Sequence, residues 1–332
     1  MSALQARKTL TIGTRGSKLA LAQAELVRAA LLASHPGLDV RFQPITTRGD
    51  TLQDHPLSKI GGNGLFVRQI EEALRSGLVD LAVHSAKDLP STLPTDMVIA
   101  AYLPRADVRD VLVSRTGSAL RDLPPGARVG TSSPRRACLL ASVRPDLKLE
   151  NIRGNVDTRL RKLFDGQYDA IVLAAAGLAR LGAADYVSEW LDPAVFIPAV
   201  GQGALAVEVR ADDHAVYSLV EGLDDRDTST AVRAERAFLA RIGGGCALPV
   251  GAYAHVSGAR LSISGMVGTL QGRVIRGTRT GEPSEPEQVG VALAEDILAA
   301  GGDALVRAGE DVEETTSMHT VDHGEERRGG ER

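Results

Sequence analysis

Thr9-Leu-Thr-Ile-Gly-Thr-Arg15-Gly-Ser17, followed by the helix-like run KLALAQAELVRAALLAS to Ser34, is the stretch on which the fold turns. Thr9–Gly13 has the character of a short strand and residues 14–17 of a turn. Leu19, Ala22, Leu26, Ala29 and Ala30 fall at helical spacing, with Ser17 as N-cap. The same grammar returns at Arg128-Val-Gly-Thr131, where Ser132-Ser-Pro-Arg-Arg136 opens a helix continuing ACLLASV. Ser133 caps it, and Pro134 takes the first helical position, where its missing N–H costs nothing. Each unit later reaches an aspartate and an apolar strand, Val79-Asp-Leu-Ala-Val83 in one and Tyr168-Asp-Ala-Ile-Val-Leu173 in the other. Two similar α/β lobes follow.

Working outward, the sequence predicts a strand over Val40–Thr46, a polar glycine-rich loop through Lys59-Ile-Gly-Gly-Asn-Gly64, and a helix from Leu65 to about Arg75. After Gly201-Gln-Gly203, a strand over Ala204–Val209 returns the chain to the first lobe. Thr230–Arg241 reads as an amphipathic helix with Val232, Ala237, Phe238 and Leu239 apolar. VGAYAHV, RLSISGMVG and RVIRGTR then read as strands before a final helix, VALAEDILAA. The predicted organisation is residues 7–103 with 204–221 as lobe 1, 109–197 as lobe 2, 226–308 as a small α+β C-terminal domain, and 309–332 as a disordered tail.

At 332 residues the chain is long enough for two or three cores. The formal net charge is −4, but residues 309–332 hold eight Asp/Glu and three Arg, so the rest is close to neutral and any cationic site must be local. The N-terminus lacks the apolar region of a secretory leader. The longest apolar run, around Ala170–Ala179, is about half of the ~20 residues a membrane helix needs. Two cysteines, Cys138 and Cys246, make no disulfide framework and no Cys-x-x-Cys, so the expected compartment is the cytoplasm. His319 and His323 in the tail are the only histidine pair at helical spacing, and no metal site is expected.

Arginine placement points to the chemistry. Arg15 lies in a strand-to-helix turn, Arg135 and Arg136 lie in the first turn of a helix, and Arg153 and Arg159 flank Gly154-Asn155 at a further helix start. Cations there oppose the helix dipole unless an anion lies between them and the free backbone N–H groups. Turns after strand C-termini converge on a crevice in open α/β lobes, so a multi-anionic ligand between the lobes is expected. No Walker loop is present, and with aromatic residues at 3% there are few platforms for nucleic acid, leaving a small polycarboxylate as the better candidate. Lys87-Asp88 directly after a buried strand supplies a fixed carboxylate suited to developing positive charge. Two rival readings stand beside this one. One is a non-enzymatic two-lobed anion binder; the other is a cysteine-nucleophile enzyme, for which His255 is the base nearest Cys246 in sequence.

TRGSKLAL, TTRGD, PLSKIGGNGLF, VDLAVHSAKDLP, VGTSSPRRA, RGNVDTRL, YDAIVLAAAGLARL, PAVGQGA and GGGCALPVG occur in order, and the chain resembles the hydroxymethylbilane synthase (porphobilinogen deaminase) family over about residues 9–308. The resemblance implies two periplasmic-binding-protein-like lobes around a crevice and a transferase of tetrapyrrole (haem) biosynthesis that joins four porphobilinogen molecules head to tail. Ammonia leaves at each addition, and water finally releases linear hydroxymethylbilane. It implies a covalent dipyrromethane primer on a thioether at Cys246, held by Ser85, Lys87, Thr131, Ser133, Arg135, Arg136, Arg159 and Gln202. Substrate contacts fall to Arg15, Ser17, Lys59, Arg153 and Arg180. Asp88 matches the catalytic carboxylate, and a cytoplasmic monomer without nucleic-acid or membrane partners is implied. Asn63 stands where many relatives have lysine, in what resembles a mobile cover over residues 55–66. Cys138 reads as a buried core thiol.

Overall fold

A computed structural model describes residues 9–47, 67–243 and 248–307. Lys59, Asn63, Cys246 and the acidic tail, expected above to carry a ligand contact, a family departure, the cofactor anchor and disorder, lie outside the described residues.

The chain forms β1 (Thr9–Arg15), β2 (Asp39–Ile45), β3 (Leu81–Ser85) and β4 (Met97–Tyr102), then crosses to β5 (Asp110–Ser114), β6 (Arg128–Gly130), β7 (Lys148–Glu150), β8 (Ala170–Ala174) and β9 (Glu189–Trp190). It returns as β10 (Leu205–Arg210) and ends in β11 (Val250–Ser257), β12 (Arg260–Gly268) and β13 (Val274–Gly281). The first sheet has the order β2-β1-β3-β10-β4 and the second β7-β6-β8-β5-β9. In the first, β1 is parallel to β2 and β3, and β10 runs antiparallel to β3 and β4. In the second, β6 is parallel to β7 and β8, and β5 runs antiparallel to β8 and β9. Each lobe's antiparallel strand is thus the one made just after the chain has crossed from the other lobe. The return strand read from Ala204–Val209 is β10, and the matched lobes share one topology.

Ser17 accepts a hydrogen bond from Ala20 N and so starts the Lys18–Ser34 helix; Ser133 does the same from Arg136 N for the Pro134–Val143 helix. The first helix is as predicted, but its buried face is not the one the spacing suggested. Ala20, Gln23, Ala24, Val27 and Leu31 are buried, while Leu26 is 48% exposed. Leucine and alanine surround this helix on all sides, so only the sheet beneath it, through Leu10, Ile12, Leu81 and Val207, selects the stripe.

The C-terminal domain packs the Arg226–Ile242 and Pro286–Ile297 helices on an antiparallel sheet of order β11-β12-β13. Both helices begin earlier than the apolar pattern suggests, because Asp225 caps the first and Pro286 opens the second. Phe238, Leu261, Ile263 and Leu293 fill this core with no exposure.

One buried carboxylate ties the domain to both inter-lobe connections. Glu235, fully buried, accepts from Arg105 Nη1 (2.6 Å) and Nη2 (3.1 Å), from Gly201 N (2.7 Å) and from Ala254 N (2.8 Å). Arg105 Nε in turn donates to Gln202 O at 2.9 Å. Removing one partner of a buried ion pair strands the other charge, so Glu235→Ala is expected to lose ~3–5 kcal/mol of stability in urea unfolding. A loss below about 1 kcal/mol would contradict this account of the junction.

Candidate active site

The crevice between the lobes is built from strand ends. β3 runs into the single turn Ala86–Asp88, which presents Lys87 and Asp88. Asp88 shares a recess with Arg15, Ser17, Gln23, His84 and Ser85. Gln23 Nε2 donates to Ser85 Oγ at 2.8 Å, and His84 Nε2 meets the buried Glu208 Oε2 at 3.0 Å, fastening β3 to β10 beneath the recess. Gly201 has φ 71°, and a Cβ there would stand 2.9 Å from Ala86 Cβ and 3.1 Å from Lys87 N. Only glycine lets the return connection lie against the Lys87-Asp88 turn.

Lobe 2 supplies most of the cations. Arg135 and Arg136, 3% and 6% exposed, do not lie open as the helix-start reading supposed, because both bond to Asp110 at the start of β5. Arg135 Nη1 donates to Asp110 Oδ2 (2.8 Å) and Ile197 O (2.7 Å). Arg136 Nε and Nη2 donate to Asp110 Oδ1 (3.1 and 2.8 Å), and its Nη1 donates to Val172 O (3.0 Å). Gln202 Nε2 joins the same Oδ1 at 2.9 Å. Burial alone would raise the Asp110 pKa, but the two guanidiniums hold the carboxyl well below the usual range. Thr131 and Ser133 serve the helix start locally: Ser133 N donates to Thr131 Oγ1, and Ser133 Oγ caps Arg136 N.

Electrostatics join the walls. Lys87 is exposed to the crevice; desolvation by the surrounding walls, with Arg136 and Arg135 opposing the pull of Asp88 and Asp110, lowers its pKa to about 8. Arg159, whose Nε donates to Gly154 O at 2.8 Å, is lowered to about 10 by burial, then by Arg136 and Arg153, with Asp88 acting the other way. Arg153 therefore belongs to the same cluster. Arg180 stands apart: Nη2 donates to Gly203 O at 2.7 Å, and burial alone lowers its pKa to about 10. Arg135 Nε and Arg180 Nε are buried donors without a partner. Lys87, Arg135, Arg136 and Arg159 thus stand around two carboxylates, Asp88 and Asp110. That surplus of donors fits a ligand carrying several carboxylates.

The larger cavity lies elsewhere, at the meeting of the inter-lobe connection and the C-terminal domain, lined by Arg105, Arg109, Tyr253 and His255 among others. Its arginines are already paired, Arg105 with Glu235 and Arg109 with Asp107, so it lacks the cationic surplus of the crevice. His255, the base a cysteine-nucleophile reading requires, is there stacked on Tyr253 at 5.7 Å. Cys138 is fully buried, and burial raises its thiol pKa to about 11, as a core role demands. Asp110 and Glu235 were not singled out from the sequence. The signal for the first was present: an aspartate opening the apolar strand Asp-Val-Leu-Val-Ser needs buried cations.

Fold and crevice define a two-lobed α/β protein whose cationic surplus suits a polycarboxylate ligand. Residues 10–218 match the family model "porphobilinogen deaminase, dipyromethane cofactor binding domain", and residues 229–299 match the family's C-terminal domain. The porphobilinogen deaminase of Roseiflexus castenholzii is 61% identical over 300 residues, covering 90% of this chain and 99% of that one. That of Syntrophobacter fumaroxidans is 49% identical over 295 residues, covering 89% and 96%. Among solved structures, the VFT2 domain of Bordetella pertussis BvgS aligns at 16% identity and a TM-score of 0.39, covering 66% of this chain and 88% of that one. The chain belongs to the porphobilinogen deaminase family. Its activity is hydroxymethylbilane synthesis, a transferase reaction of tetrapyrrole biosynthesis that uses a dipyrromethane cofactor. No helix among the described residues is long and apolar enough to cross a membrane.

Proposed function

We propose that the crevice is the polymerising site, with Asp88 as its catalytic residue and Cys246 as the anchor. The observation that carries this is the carboxylate of Asp88 set among Lys87, Arg159 and the Arg15 recess. When bound, dipyrromethane supplies the tether and the nucleophilic ring carbon on which the chain grows. Asp88, as the carboxylate, holds pyrrole N–H groups and stabilises the cation left when the C–N bond of the substrate's ammonium breaks and ammonia departs. It then takes the ring proton released once the new C–C bond has formed and passes it to solvent, so its protonation state is restored at each addition.

Ser85, Lys87, Thr131, Ser133, Arg135, Arg136, Arg159 and Gln202 hold the cofactor, and Arg15, Ser17, Lys59, Arg153 and Arg180 the incoming ring. A Cβ at Gly251 would stand 2.9 Å from Arg135 Cδ, so β11 begins against the crevice wall. Cys246 lies five positions before Gly251 in the chain. The connecting chain spans at most ~17 Å, which supports an anchor within reach of the arginines. The sheets support a division into lobe 1 (7–103 with 204–221), lobe 2 (109–197) and a third domain (226–308). The buried free thiol of Cys138 suits a cytoplasmic protein, which we take to act as a monomer on a small molecule and not on nucleic acid.

Lys87 provides the test. With its pKa lowered to about 8, it is expected to acylate ahead of lysines on the outer surface such as Lys18 when the apoprotein is labelled at pH 8. In the holoprotein a neighbouring carboxylate restores the charged form and protects it. Equal labelling of Lys87 in both forms would remove it from the cofactor site.

A further inference from the structure

We propose that Asp110 is a positioning residue of the reaction, whose carboxylate sets the Arg135 and Arg136 guanidiniums and the Gln202 amide in the orientation that receives ligand carboxylates. This rests on the crevice being the polymerising site. Four hydrogen bonds from three side chains converge on one fully buried carboxylate, three on Oδ1 and one on Oδ2. The three side chains come from two places distant in sequence, the Pro134–Val143 helix and the return connection. Asp110 itself opens β5, directly after the outward connection.

The arrangement sacrifices local satisfaction for orientation. Arg135 Nε and Gln202 Oε1 are both buried without a partner, and both belong to side chains that Asp110 holds. Buried Arg–Asp–Arg clusters give little net stability, because the desolvation of three charges offsets their attraction. The cluster is better explained by the geometry it imposes. Arg136 is also among the causes of the Lys87 and Arg159 shifts, so a reoriented Arg136 alters the field across the crevice.

The experiment uses the full-length holoprotein carrying Asp110→Asn or Asp110→Ala. Asparagine keeps the size but turns an NH2 toward a guanidinium, and kcat per folded molecule is expected to fall by about 10²-fold with a much smaller change in KM. Alanine removes one carboxylate, which formate can replace in size and charge. Added formate is expected to raise the kcat of Asp110→Ala by about tenfold or more, while chloride at equal ionic strength does not, and Asp110→Asn, whose site is filled, does not respond. A purely structural role would lower the melting temperature without formate-specific recovery of kcat. The proposal is overturned if Asp110→Asn keeps kcat within about threefold of the parent, or if folded Asp110→Ala is indifferent to formate. Should Asp110→Ala fail to fold, the kcat of Asp110→Asn decides. Failure of the underlying reading looks different: Asp88→Asn would then retain turnover, whereas failure of the Asp110 proposal alone leaves Asp88→Asn inactive.

Discussion

Asp88→Asn is expected to leave a folded protein that still carries its cofactor and to lose kcat by at least about 10³-fold. General acid–base catalysis is typically worth about 10²–10⁴-fold, and a fixed charge aimed at a developing cation adds to it. The amide is isosteric but neither stabilises a cation nor exchanges the proton at each addition. Asp88 is exposed to the crevice and lies in a single turn after β3, outside the hydrophobic cores. Its replacement should therefore change stability by no more than about 0.5 kcal/mol. Steady-state turnover beside thermal unfolding separates the two effects. Turnover within about tenfold of the parent would remove Asp88 from the chemistry.

The matched lobes were legible because strand, capped turn and helix are local, and because the same order recurs at Gly13-Thr14 and Gly130-Thr131. The three C-terminal strands were legible for a similar reason: the first half of β12 alternates buried positions, Leu261 and Ile263, with partly exposed ones, Ser262 and Ser264. The buried stripe of the first helix was not, since its composition permits several faces and the sheet makes the choice. Arg135 and Arg136 were placed at a helix start from sequence, but their partner is Asp110, 25 and 26 residues away. Glu235 and Arg105 meet across 130 residues. Charges that pair through the tertiary structure leave only an indirect mark on the chain, an acid or base inside an otherwise apolar element.

The second large effect concerns the anchor. Cys246→Ser is expected to abolish covalently held dipyrromethane and with it activity, because a serine hydroxyl is a far poorer nucleophile for forming the link than a thiolate. The C-terminal core should hold, since Phe238, Leu261 and Leu293 belong to one buried apolar cluster with the two helices. Intact mass would show the variant without the adduct carried by the parent. Urea unfolding would show a loss of the stabilisation that a bound ligand confers on the native state. A Cys246→Ser protein that kept the adduct would place the anchor at another residue. One that lacked it but turned over normally would remove the tether from the mechanism.

The central claim is that the chain grows on a tether at Cys246 and is extended through Asp88. The most direct test is the intact mass of the holoprotein immediately after brief exposure to porphobilinogen. The predicted result is a ladder of evenly spaced covalent additions of one ring each in the parent, the cofactor mass alone in Asp88→Asn, and no adduct in Cys246→Ser. An unmodified parent that forms product, or an Asp88→Asn ladder formed at the parent's rate, would contradict it.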